Sequence, residues 1–232
     1  DASKSNDGTA ALPWKALLGF RQVWALMLVR FISDPAWYFY LFWLPEYLHS
    51  VRGFSLQQIG YFAWIPFLTA DFGSVAGGWI NTFLMRRGWS LNKARKVAMA
   101  GSAACMPLAI AAAHVSDARI AIAFICLATF GQQAWSANII TLPADLFPSK
   151  VVASVYGLSA LSSSFGAMVF MLLIGWVVDH FSYAPIFVTV GLMHPLAAAV
   201  VFVSIPRIEL IRIDRTVPIR PEKLVSKQRA QG

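Results

Sequence analysis

Charge is scarce in this chain of 232 residues: 13% are Asp, Glu, Lys or Arg, against about 25% in an ordinary soluble domain. Hydrophobic residues make up 58% and the mean hydropathy is +0.61, so the first reading is a bilayer protein rather than a water-soluble globule. Only two cysteines occur, Cys105 and Cys126, each in an apolar run without CxxC or Cys/His spacing. That argues against a disulfide framework and a metal site, and leaves both as small buried hydrophobes. GxSxG, HExxH and Walker motifs are missing, as is any Ser/His or Asp/Asp pair at catalytic spacing. Neither an enzyme nor a cofactor is therefore expected. The chain opens Asp1-Ala2-Ser3-Lys4, without Met and without a basic-then-apolar leader, and reads as a fragment or processed product.

Long apolar runs are what the sequence has in plenty. A helix needs roughly 20 apolar residues to span the hydrocarbon, and six stretches qualify, at about 22–48, 57–84, 94–115, 118–142, 151–178 and 184–206. The predicted fold class is an all-α membrane protein with six transmembrane helices. Residues 1–21 read as a polar cytoplasmic linker ending in a short amphipathic stretch, Trp14 to Phe20. Residues 22–206 form the bundle, and 207–232 a basic cytoplasmic tail expected to be disordered. Of the 19 Lys and Arg, all but Arg30, Arg52 and Arg119 fall on one side of this layout, which places both ends in the cytoplasm. The net charge of +8 is then juxtamembrane and meets anionic lipid. No basic patch belongs to a soluble module, so nucleic acid is not an expected partner.

Charges deep in a bilayer cost about 2.5 to 3.5 kcal/mol each on insertion scales and need a partner or a purpose. Arg30 and Asp34 are four apart on the first predicted helix and share a face with Trp37, Tyr38 and Leu41. Arg30 offers a fork for a substrate carboxylate, with Asp34 and Tyr38 positioning it or receiving hydroxyl bonds. Alternatively, Arg30 and Asp34 only neutralise each other, or Arg30 snorkels to the membrane surface. Asp71, on the second helix without a basic neighbour there, is a candidate proton-coupling group or a structural hydrogen bonder. On the fourth helix Thr129, Gln132, Gln133 and Ser136 make a polar stripe. Paired amides both donate and accept, which suits sugar hydroxyls; interhelical bonding is the alternative. Asn138 points roughly 120° away from that stripe and is an outlying candidate. Ser159, Ser162, Ser163 and Gly166 repeat the spacing as a small-residue face, fit for packing or for lining a cavity. Gly73-x-x-x-Gly77 and Ser74-x-x-x-Gly78 read as close helix packing. His194, followed by Pro195, reads as a satisfied structural histidine at a kink.

The segment from Arg30 to Leu48, RFISDPAWYFYLFWLPEYL, resembles the seventh helix of hexuronate transporters. Those belong to the anion:cation symporter family of the major facilitator superfamily. Gly77-Gly78-Trp79-Ile80-Asn81 followed by Arg86-Arg87-Gly88 is similar to the superfamily's loop motif between helices eight and nine. Asn81 stands where that motif often has Asp, a departure that bears on its usual charge latch with the basic loop. Pro143-Ala144-Asp145-Leu146-Phe147-Pro148-Ser149-Lys150 looks like the loop before helix eleven. The resemblance covers about residues 20–206 and implies one half of a major facilitator fold, helices seven to twelve, as an inverted three-plus-three repeat. It implies a substrate near the midplane, between this bundle and a missing amino-terminal half. It also implies that helices seven, eight, ten and eleven face the cavity, and that protons drive transport with coupling carboxylates often in the other half.

The expected function is proton-coupled uptake of a hexuronate-type sugar acid across a bacterial inner membrane by rocking of two bundles. Its expected substrate-binding residues are Arg30, Asp34, Trp37, Tyr38, Gln132, Gln133, Asn138, Ser159 and Ser163, with Asp71 as proton-coupling candidate. A drug or neutral-sugar porter keeps the architecture and changes the cavity. A six-helix membrane sensor or structural dimer is a non-transport alternative.

Overall fold

A computed structural model of the protein describes residues 14–211, whose regular structure is entirely α-helical. Most of the expected linker and tail, residues 1–13 and 212–232, lies outside the described residues. The helices are α1 (Trp14–Leu17), α2 (Arg21–Ser33), α3 (Pro35–Ser50), α4 (Leu56–Phe62), α5 (Ile65–Arg86), α6 (Leu91–Cys105), α7 (Leu108–His114), α8 (Ala118–Leu146), α9 (Ser149–His180) and α10 (Ala184–Ser204).

Four stretches are long and apolar enough to cross a membrane: Leu91–His114, Ala118–Leu146, Ser149–His180 and Ala184–Ser204. The stretches expected at 22–48 and 57–84 are instead divided, α2 from α3 at Asp34 and α4 from α5 at residues 63–64. The pair α6 and α7 is jointed too, at residues 106–107. A proline stands in or just after each joint: Pro35, Pro66 and Pro107. Proline has no N–H to continue the ladder and crowds the preceding turn. At the first joint the carbonyl of Phe31 loses its donor to Pro35 and lies against Gly166 of α9, where a Cβ would stand 2.5 Å from that oxygen.

Helix ends are set by local chemistry. Ser55 and Gln58 form a reciprocal capping box at the start of α4. Asp117 accepts from the backbone N–H of Arg119 at 2.7 Å to open α8. α5 stops in a Schellman turn: Gly88 N–H reaches Met85 O at 3.0 Å and Trp89 N–H reaches Leu84 O at 3.2 Å. The turn needs φ of +85° at Gly88, which glycine adopts without steric penalty.

α8 lies at the centre, against α5 on one side and α6 and α7 on another; α2 packs on α9, and α10 bridges α2 and α7. The buried apolar residues form two separate clusters, one towards each end. The first takes Val29 and earlier residues of α2, Trp135 onward on α8, Val151 and Val155 on α9, and Ala197 onward on α10. The second takes Ala36 onward on α3, Ala128 and earlier on α8, Phe170 and Ile174 on α9, and Val190 and earlier on α10. Between them, at mid-height, stand Arg30, Ser33, Gln132, Ser159, Ser163 and His194, all buried. Many large hydrophobics on the outer faces are exposed, among them Phe42, Phe72, Val75, Leu161, Leu172 and Trp176, as a bundle solvated by lipid requires.

Both ends of the described chain belong to the bundle more than their polarity suggested. Leu17 and Phe20, expected in the linker, are buried in the first cluster. Residues 205–211 dock rather than leave: Ile208 is buried, its N–H reaches Asn92 Oδ1 at 3.0 Å, and Ile211 N–H reaches Leu146 O at 2.8 Å. Ile205, Ile208 and Ile211, spaced three apart, supply the apolar anchors that outweigh the neighbouring charges.

Candidate functional site

The joint at Asp34 organises the mid-height layer. One helical turn separates Arg30 from Asp34, and Arg30 Nε donates to Asp34 Oδ2 at 2.9 Å. Ser163 Oγ on α9 donates to the same oxygen at 2.6 Å, and Ser33 Oγ donates to Asp34 Oδ1 at 3.2 Å. The guanidinium also reaches Ser159 Oγ at 3.4 Å through Nη1 and lies over the Tyr156 ring, 5.1 Å from its centroid. Behind this pair, Trp135 Nε1 donates to Ser33 Oγ at 3.2 Å, and the His194 ring meets Trp135 edge-on at 5.5 Å. His194 is fully buried, yet neither ring nitrogen has a hydrogen-bond partner among the described residues, so it is not the satisfied histidine expected.

A cavity of about 180 Å³ opens onto this layer, lined by Arg30, Asp34, Trp37, Tyr38, Gln132, Gln133, Ser136 and Ser163. Four helices supply the polar groups because each presents polar residues at the same height: the Arg30 turn of α2, Tyr38 of α3, the amides and Ser136 of α8 and the small face of α9. Gln132 is 2% exposed and its Oε1 has no partner among the described residues. Trp37 closes one wall and packs edge-on against Phe67 of α5, and Tyr38 stacks on Phe42. A wider depression of about 510 Å³ near Phe147, Pro148 and Leu210 carries no charged side chain or amide and offers no comparable chemistry.

Seven of the expected residues thus meet at one cavity, while Asn138, Ser159 and Asp71 do not line it. Asn138 is moved out of the site by the helical rotation noted above. It is fully buried against α5, where its Nδ2 donates to Ala134 O at 2.8 Å and Gly77 O at 3.3 Å and its Oδ1 accepts from Asn81. Ser159 sits one layer back, supporting Arg30. Asp71 lies exposed on α5, one turn beyond Phe67, and makes no salt bridge among the described residues. Thr129 of the α8 stripe turns to α5, donating to Pro66 O at 2.8 Å. Ser136 faces the cavity as its place in that stripe implies, and Ser33 and Tyr156 support the charged pair without having been singled out.

Asn81, the departure from the loop motif, joins a second polar cluster. Arg95 of α6 pairs with Asp145 of α8 at 2.8 Å and reaches Asn138 Oδ1 at 3.3 Å, so a charge link between these helices exists with Asn81 attached through Asn138. Among the described residues no group of three or more His, Cys, Asp or Glu stands close enough to hold a metal ion.

An apolar bundle with large hydrophobics on its outer faces and a polar cavity at mid-height defines an integral membrane protein. The Major Facilitator Superfamily model matches residues 2–168, and the chain belongs to that superfamily, whose members are transporters and not enzymes. It is similar to the hexuronate transporter of Escherichia coli K12, 32% identical over 206 residues, which is 87% of this chain and 48% of the relative. It is 30% identical over 200 residues to the probable galactarate/D-glucarate transporter of the same strain, covering 84% of this chain and 44% of the relative. With the D-galactonate transporter of Escherichia coli O6:H1 it shares 25% identity over 181 residues, 78% of this chain and 42% of the relative. The chain spans about half the length of these curated relatives.

Proposed function

We propose that this chain is the carboxy-terminal half, helices seven to twelve, of a proton-coupled transporter that takes up a hexuronate-type sugar acid by alternating access. Both ends of the chain face the cytoplasm of a bacterial cell in this reading, and an amino-terminal half closes the cavity from the other side. The observation that carries it is the company Arg30 keeps. A guanidinium with its paired carboxylate, two amides and three hydroxyls converge on one cavity beside the flat ring of Trp37. A sugar acid offers a carboxylate to the first, hydroxyls to the next and a ring face to the last. The acceptor Gln132 Oε1, buried without a donor among the described residues, suits a ligand that brings an O–H. The sugar-acid names of the relatives point the same way. Proton coupling belongs to this reading, and Asp71 and Asp34 are the carboxylates the chain offers for it.

The pairing of Arg30 with Asp34 favours a second reading, a neutral polyol, because the pair has no net charge to spend on an anion. Calorimetry of the purified full-length protein separates the two. Glucuronate and galacturonate are expected to bind more tightly than glucose, and equal affinity for glucose selects the neutral-sugar porter. Gln132→Ala is expected to weaken uronate binding by about 1 to 3 kcal/mol, roughly 5- to 150-fold. An unchanged affinity removes Gln132 from the site.

A further inference from the structure

We infer that Asp34 is the group that takes up a proton when the substrate anion binds, because the anion competes with it for Arg30. This rests on the sugar-acid reading above.

Among the described residues, every hydrogen bond of the Asp34 side chain is one in which the carboxylate accepts: from Arg30 Nε at 2.9 Å, Ser163 Oγ at 2.6 Å and Ser33 Oγ at 3.2 Å. The side chain is thus held as an acceptor only, with Arg30 as its charged partner. A carboxylate entering beside Arg30 puts two negative charges against one positive charge in a layer enclosed above and below by apolar packing. That excess is unstable in a low-dielectric setting. One proton from bulk water, bound to an Asp34 oxygen as its contact with Arg30 breaks, restores neutrality. The new O–H donates to Ser163 Oγ, which already stands within hydrogen-bond distance, and the freed Nε–H turns to the substrate carboxylate.

The other titratable groups around the pair do not take this part. On α3, Tyr38 is a cavity wall. On α8, the cavity side chains are the neutral Gln132, Gln133 and Ser136. On α9, Tyr156 lies under the guanidinium and not against the carboxylate. On α10, His194 touches Trp135 and is separated from Asp34 by Trp135 and Ser33. Asp71 is on the exposed face of α5, outside the cavity. Among the described residues, Arg30 is the only cation in the lining.

The test is glucuronate binding to the purified full-length protein, measured by calorimetry in buffers of different ionisation enthalpy and across pH. Wild type is expected to take up about one proton per glucuronate, with affinity falling about tenfold per pH unit above the pH where the free site is ionised. Asp34→Asn is expected to lose the proton uptake and the pH dependence, whatever glucuronate affinity it keeps. Asp34→Glu, which keeps a carboxyl at the joint, is expected to retain the uptake and serves if Asp34→Asn does not fold. Glucuronate bound by wild type without a proton overturns this inference alone, and no glucuronate binding at all overturns the sugar-acid reading with it. Uptake that persists in Asp34→Asn, or that disappears instead in Asp71→Asn or His194→Gln, also overturns it.

Discussion

Replacing Arg30 with Ala is expected to destabilise the protein by about 3 to 5 kcal/mol and to abolish sugar-acid binding. Both effects have one origin. The Arg30 and Asp34 side chains are only 10% and 16% exposed, so removing the guanidinium strands a carboxylate whose remaining partners are two hydroxyls. The Tyr156 ring and Ser159 lose their cation in the same step. The double variant Arg30→Ala/Asp34→Ala separates the consequences. With both charges gone, most of the stability is expected to return, because an apolar pair in place of a buried ion pair is often neutral or better. Sugar-acid binding is not expected to return, because the one cation that the described residues of this chain bring to the cavity is gone. Thermal unfolding in detergent and calorimetry with glucuronate read the two quantities independently. A single variant as stable as wild type would show that Asp34 is not held by Arg30, and a double variant that still binds uronate would remove the cation from recognition.

The second large effect is expected at the α5–α8 contact. A Cβ on Gly73 would stand 2.2 Å from Phe130 O, and one on Gly77 would stand 2.5 Å from Ala134 O. Both obstacles are backbone, which cannot swing aside as a side chain does, so the helices themselves must part. Gly73→Ala and Gly77→Ala are each expected to cost about 1 to 3 kcal/mol or more, as overpacking does elsewhere. Parting these helices also shifts Thr129 from Pro66 and Asn138 from Gly77, whose bonds cross the same interface. Gly78→Ala is the matched control: nothing lies within 4 Å of its added Cβ, and alanine favours the helix. Unfolding temperatures that fall equally for Gly73, Gly77 and Gly78 would mean that close approach is not the cause.

Much of this was legible in the residues. Length and hydropathy located the four spans expected at 94–115, 118–142, 151–178 and 184–206, since neither depends on tertiary partners. The Arg30–Asp34 pair was legible because four-residue spacing forces neighbours on a helix, and the α8 and α9 stripes because polar residues at helical period stand out in an apolar run. What spacing could not reveal is which stripe meets which. Thr129 and Gln132 share one stripe, yet Thr129 is captured by a proline carbonyl of α5 while Gln132 opens to the cavity. Arg95 and Asp145 are fifty residues apart, with no periodic signal linking them. Asp34 as a joint was hidden because hydropathy averages straight through Pro35, and the docking of residues 205–211 because their charges mask three isoleucines.

The layering of the interior has a mechanical consequence. The protein is two short oil-filled drums stacked end to end, with a wet seam between them. Within a drum, displacing a side chain opens a void, at about 2 to 5 kcal/mol for a leucine-sized loss. Within the seam, a hydroxyl or amide that changes partner forfeits a bond worth about 1 kcal/mol and regains another. Strain applied to the bundle therefore collects at the seam, where Pro35 has already loosened one helix and where Arg30 and Asp34 have alternative partners within reach.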